Sequence, residues 1–170
     1  MRYSIPKGGC SMGSDGKKGF TLVETIIIVA IIGLLAVIAI PNLMRARLNA
    51  NEAAVRSDLR AFSQANDSFH SNQTPPVFAA DVSALTSSNP PYLDGSWNAA
   101  NLPPGKHGYL FVYNAGAEGG AFSLAASPTA GQGMNSYCID QTGVVVGSVN
   151  GAGAPAGTGE GCSGGTPVTG

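Results

Sequence analysis

The feature that most limits what this chain can become is an apolar run from Thr25 to Ile40, entered through Lys17-Lys18-Gly19-Phe20-Thr21-Leu22-Val23-Glu24. A hydrophobic stretch of about 20 residues is long enough to cross a bilayer as a helix. The basic pair lies on its N-terminal side, and basic flanks stay cytoplasmic. The chain therefore reads as a single-pass membrane protein with its N-terminus inside and its body outside. Glu24 does not suit such a span. A carboxylate at membrane depth costs about 2.5–3.5 kcal/mol and marks a functional position by default. On spacing alone, two readings stay open. Glu24 either reaches the headgroups and the positive end of the helix, or it answers a specific counter-charge.

The helical pattern continues past the apolar run. Residues 20 to about 71 read as one long helix of about 78 Å. Its first part, 20–41, is apolar on all sides; its second part, 42–71, is amphipathic. Leu48, Val55, Leu59, Phe62 and Phe69 recur at threes, fours and sevens and form a stripe expected to pack on a sheet. The opposite face carries Arg45, Arg47, Glu52, Arg56, Asp58, Arg60 and Asp67. Glu52 and Arg56 stand four apart, a favourable pair, whereas Arg56 and Arg60 repel. Pro41 removes a backbone hydrogen bond and clashes with the preceding turn, so a kink is expected there. Gly33 weakens the helix before it.

Residues 72–107 form a connector rich in Pro, Ser and Asn, with a short helix expected after the cap residue Asp81. Trp97 and Tyr92 are expected to cover the sheet. Strand signals follow in Gly108–Tyr113, Ala121–Ala126, Ser136–Asp140 and Val144–Val146, with Gln141-Thr142-Gly143 read as a tight hairpin turn. From Gly147 to Gly170 nine of 24 residues are glycine, too few apolar side chains to fold unaided. The expected architecture is α+β: one long kinked N-terminal helix on an antiparallel sheet of three or four strands, with 108–170 supplying sheet and Gly-rich tail.

Lys17-Lys18-Gly19-Phe20-Thr21-Leu22-Val23-Glu24, followed by an apolar helix, resembles the signal of type IV pilins and the related pseudopilins. The resemblance is specific over residues 17–45, weaker to about residue 70 and general beyond. It implies removal of a leader, residues 1–19, by a prepilin peptidase cutting between Gly19 and Phe20, and N-methylation of Phe20. An ordinary secretory signal is cut after its apolar region instead. It implies further that Glu24 neutralises the terminal amine of a neighbouring subunit as a filament grows. In a dry core, opposite charges meet or are costly. The implied partners are further copies of the chain in a helical homopolymer, the prepilin peptidase, an assembly platform in the inner membrane, and the membrane itself before assembly. The implied place is the inner membrane first and an extracellular pilus afterwards. Adhesion, motility and DNA uptake are the roles such a filament supports. The Gly33–Pro41 segment is implied to loosen on assembly. The runner-up is a major pseudopilin of a type II secretion system. The leader is long for this family, and Met12 offers a start that shortens it.

Removing 19 of the 170 residues leaves 151, suited to one domain on a stalk. The leader takes Arg2, Lys7, Lys17 and Lys18 with it, leaving five Lys or Arg against nine acids. All four remaining arginines lie on the stalk, and beyond Asn72 the one basic residue of this kind is Lys106. An acidic body of this kind argues against a strong direct grip on nucleic acid, and none is expected. With Cys10 in the leader, Cys138 and Cys162 remain, an even pair facing an oxidising compartment. A disulfide closing about 25 residues is expected, worth about 3 kcal/mol. Two free thiols or half a metal site are the alternatives. Catalytic patterns are missing: His70 and His107 lie in separate segments, and there is no nucleophile elbow, phosphate loop or metal-ligand spacing. No cofactor is expected. The weak exception is calcium, for which Asp94 and Asp140 are the candidate carboxylates.

Overall fold

The computed structural model describes residues 19–148 and 155–168. The body of the leader, Met12 and Cys10 lie outside the described residues. The chain divides into two compact units, Met1–Pro41 and Asn42–Gly170. A helix, α1 (Leu22–Asn72), runs through both, with Pro41 inside it.

In the first unit the described residues are Gly19-Phe20-Thr21 and the opening half of α1. Thr21 starts the helix. Its Oγ1 accepts a hydrogen bond from the Glu24 amide at 3.2 Å, satisfying one of the donors that a helix leaves open at its N-terminus. Every large apolar residue from Leu22 to Ile40 is exposed. None of this surface finds cover within the described residues.

The second unit is built on the lower half of α1. Val55, Leu59 and Phe62 are fully buried, as the stripe predicts, while Leu48 and Phe69 at its ends are half-buried. Five strands form the main sheet: β1 (Tyr109–Ala115), β2 (Phe122–Pro128), β3 (Ser136–Asp140), β4 (Val146–Ser148) and β7 (Thr166–Pro167), in the order β1-β2-β3-β4-β7 and antiparallel throughout. The pleat sends alternate residues to opposite faces. Tyr109, Phe111, Phe122, Leu124, Ala126, Tyr137 and Ile139 point into the core with the helix stripe. Phe62 sits at the middle, with ring centroids 5.1 Å from Trp97, 5.4 Å from Tyr113 and 6.4 Å from Phe122.

Several expectations need correction. The sheet has five strands rather than three or four, because the Gly-rich tail contributes to it. Residues 156–163 form a hairpin, β5 (Ala156–Thr158) with β6 (Gly161–Ser163), and β7 joins the sheet edge beside β4. Backbone hydrogen bonding needs no apolar side chains, and close packing here requires their absence. A Cβ on Gly157 would stand 2.6 Å from the Ser123 hydroxyl oxygen, and one on Gly147 would stand 2.8 Å from Val168. The expected strand at Val144 begins instead at Val146, where Cys138 pairs with Val146. The tight turn expected at Gln141-Thr142-Gly143 does form, the Gly143 amide donating to Asp140 O at 3.0 Å, Asp140 Oδ1 accepting from the Thr142 amide and hydroxyl at 2.9 and 2.6 Å, and Gly143 adopting φ +72°; Val144 and Val145 then lead into the strand. Helix α2 (Val82–Thr86) is capped by Asp81 as expected, its side chain accepting from the Ala84 amide. Trp97 does cover the sheet, edge-on to Phe111 at 5.2 Å. Tyr92 goes to the helix, edge-on to Phe69 at 5.7 Å, with its hydroxyl taking a bond from Asn72.

Candidate functional site

The residues expected to carry function lie in the first unit. Gly19 and Phe20 precede the helix, and Phe20 is 75% exposed. Gly19 and Gly33 have open space where a Cβ would stand. Glu24 is exposed on the first turn of α1 and makes no side-chain hydrogen bond or ion pair among the described residues. A lone acid at the head of an uncovered apolar helix marks a functional position by default.

The second unit holds its own chemistry on the helix flank and the outer face of the sheet. Cys138 and Cys162 form the expected disulfide, across a sequence separation of 24. It ties the β5–β6 hairpin to β3 on the face away from the helix. Asp140 reinforces the tie, its Oδ2 accepting from the Cys162 amide at 3.1 Å. Burial works to raise the Asp140 carboxyl, but bonds from Thr142 and Cys162 together hold it below the usual range. Ser123 Oγ donates to Thr158 O at 2.8 Å, and Asn114 Nδ2 to Gly157 O at 3.1 Å, completing the seat of the hairpin. The two calcium candidates are thus engaged separately: Asp140 here, Asp94 in accepting from the Ser96 amide at 2.8 Å.

Glu52, expected on the solvent face beside Arg56, turns inward. Its Oε1 accepts from the amides of Met134 and Asn135 at 3.1 and 3.3 Å. Its Oε2 accepts from Asn135 Nδ2 at 3.0 Å and from the Tyr137 hydroxyl at 2.9 Å. Arg56 instead lies over the Tyr137 ring at 5.9 Å. Burial, with the nearby Glu52 charge adding to it, pushes the Tyr109 and Tyr137 phenols up. Asn66 is fully buried and satisfied: Nδ2 donates to the Tyr113 hydroxyl and Oδ1 accepts from the Ala79 amide at 3.0 Å. Sequence reading missed Glu52 and Asn66, yet a signal was there. Both fall on the stripe's own spacing, at 52, 55, 59, 62 and 66. Lys106 is no free surface cation. It lies 3.6 Å from Asp58 and 4.1 Å from the Trp97 ring centre, with His107 3.5 Å from the same carboxylate.

Residues 15–40 match the family model described as the prokaryotic N-terminal methylation motif, a segment that includes Gly19, Phe20, Glu24 and Gly33. The chain is 36% identical to the type IV wide pilus major component PilA4 of Thermus thermophilus, over 67% of this chain and 84% of that protein. The chain belongs to the type IV pilin and pseudopilin family. Another relative of this pilin-family chain is the type IV major pilin protein PilA of Myxococcus xanthus, 43% identical over 33% of this chain and 26% of that one. The type II secretion system core protein G of Klebsiella michiganensis is 29% identical, over 64% and 89% respectively. None of the three is named for a catalytic activity. No solved structure matches the chain.

Proposed function

We propose that this chain is a structural subunit of a type IV pilus, stored in the membrane as a single-pass precursor and polymerised through its N-terminal helix. The observation that carries the reading is an apolar helix exposed along its whole first half with one carboxylate, Glu24, at its head. A bilayer covers that surface before assembly; neighbouring helices cover it afterwards. Prepilin peptidase cuts between Gly19 and Phe20, and Phe20 is then N-methylated. In the filament the Phe20 amine of one copy meets Glu24 of the next, so neither charge stays unpaired in a dry core. Gly33 and Pro41 bracket the weak part of the helix, where it kinks and yields as the subunit leaves the membrane. An assembly platform in the inner membrane moves it out. Its acidic body leaves strong direct DNA binding to other proteins. In this reading the subunit itself carries no cofactor; the methyl group placed on Phe20 comes from a methyl donor brought by the modifying enzyme.

One observation favours a second reading, a major pseudopilin: the match to the secretion-system core protein covers 89% of that protein. Electron microscopy of surface filaments with and without the gene separates the two. Long retractile fibres that vanish with the gene support the pilin; their persistence, with loss of protein secretion instead, supports the pseudopilin. In the same cells Glu24→Leu is expected to give processed, membrane-held subunits and few filaments, and abundant normal filaments would refute the pairing.

A further inference from the structure

Most charged groups of the second unit are used internally. Asp81 and Asp94 cap helical turns, Asp140 holds Cys162, Glu52 grips the β2–β3 loop, and Asp58 meets Lys106 and His107. Three acids of that unit have no side-chain hydrogen bond or ion pair among the described residues, and all are exposed: Asp67 on the last turns of α1, and Glu118 and Glu160 on the body. The fold brings Glu118 and Glu160 to adjoining turns. A Cβ on Gly116 would stand 2.3 Å from Gly159 O, so the β1–β2 turn touches the β5–β6 turn. The cations show the same division. Arg56 is over Tyr137 and Arg60 is half-buried without a partner among the described residues, whereas Arg45 and Arg47 are unpartnered there and exposed on α1. Asp67 aside, one chain thus carries unpaired positive charge on its stalk and unpaired negative charge on two turns of its body.

Two different but complementary patches on one chain make a heterologous contact, which repeats without closing and generates a helical filament. We propose that in the filament Arg45 and Arg47 of one copy pair with Glu118 and Glu160 of neighbouring copies. Arg45 and Arg47 point about 200° apart around the helix, so they address two neighbours. This contact rests on the filament reading above and adds to it a second, body-level join, separate from the Glu24 pairing in the core. It also accounts for the charge segregation: in-chain pairing of these groups would leave nothing to register one body against the next.

The test compares sheared filaments from cells carrying wild type, R45E/R47E, E118R/E160R, or all four changes, each normalised to processed subunit in the membrane. Exposed pairs are individually weak, and reversal replaces attraction with repulsion, so each double change is expected to lower filament amount about fivefold or more. The four-fold swap is expected to restore it to within about twofold of wild type. A swap no better than its worse parent overturns the proposal. So does an R45E/R47E chain whose defect is weaker retention on vesicles containing anionic phospholipid, which would assign the arginines to headgroups. As a second measurement that needs no variant, wild-type filaments should shorten when salt rises from about 0.1 M to 1 M, where screening reaches about 3 Å; salt-indifferent filaments count against the contact. If wild type itself makes no filaments, the filament reading falls first and is recognised as the cause.

Discussion

Replacing Glu52 with alanine removes the carboxylate that holds the β2–β3 loop to the stalk. Four donors lose their acceptor: the amides of Met134 and Asn135, the Asn135 side chain and the Tyr137 hydroxyl. A half-buried donor left unmade costs about 1 kcal/mol, and water recovers part of it, so the total is about 2 kcal/mol. For a chain of this size that lowers the Tm by about 6–8 °C. Glu52→Gln keeps one acceptor oxygen and should cost about half as much. The pH dependence supplies an independent sign. Burial alone would raise the Glu52 carboxyl, but its four donors together hold it below its ordinary value of 4.5. A depressed folded value means stabilisation that is present above the unfolded value and lost as pH falls through the folded one. The gap between wild type and Glu52→Gln should therefore be constant from about pH 7 to 5 and close towards pH 3. Thermal unfolding of the processed chain in detergent, followed by Trp97 fluorescence, reads both effects. A Glu52→Ala chain within about 2 °C of wild type, or a gap unchanged down to pH 3, would refute this account of the clamp.

Other outcomes follow from the same packing. Phe62→Ala, at the centre of three aromatic rings, should cost about 3–5 kcal/mol and leave a chain that unfolds near physiological temperature, measured by urea titration. Cys162→Ser should lose about 3 kcal/mol and free the β5–β6 hairpin, whose seat is backbone and hydrogen bonds rather than apolar contact. Limited proteolysis should then nick residues 155–168 while β1–β3 stay intact; an uncut tail counts against the staple.

Legibility differed by element for physical reasons. The long helix, its buried stripe, the Asp81 cap and strand β3 were legible because each has a local signature: period, capping residue or alternation. The disulfide followed from an even cysteine pair once Cys10 was set aside. The tail was misread because its information is carried by what glycine lacks. Gly147 and Gly157 allow backbones and a hydroxyl to approach where any Cβ would clash, and composition registers that as mere flexibility. Glu52 and Asn66 were hidden because a polar residue on an apolar stripe can be read either as an interruption or as a buried anchor. Only the distant donors at Ala79, Met134 and Tyr137 decide which. Glu24 is the opposite case: its type and place are plain from the sequence, and a single chain carries no group that answers it among the described residues.

The most direct test of the central claim is intact and N-terminal mass spectrometry of this chain recovered from purified surface filaments. The account predicts a 151-residue chain beginning at a methylated Phe20, with Cys138 and Cys162 oxidised. Filaments containing the chain with residues before Phe20 still attached, or filaments lacking the chain altogether, would contradict it.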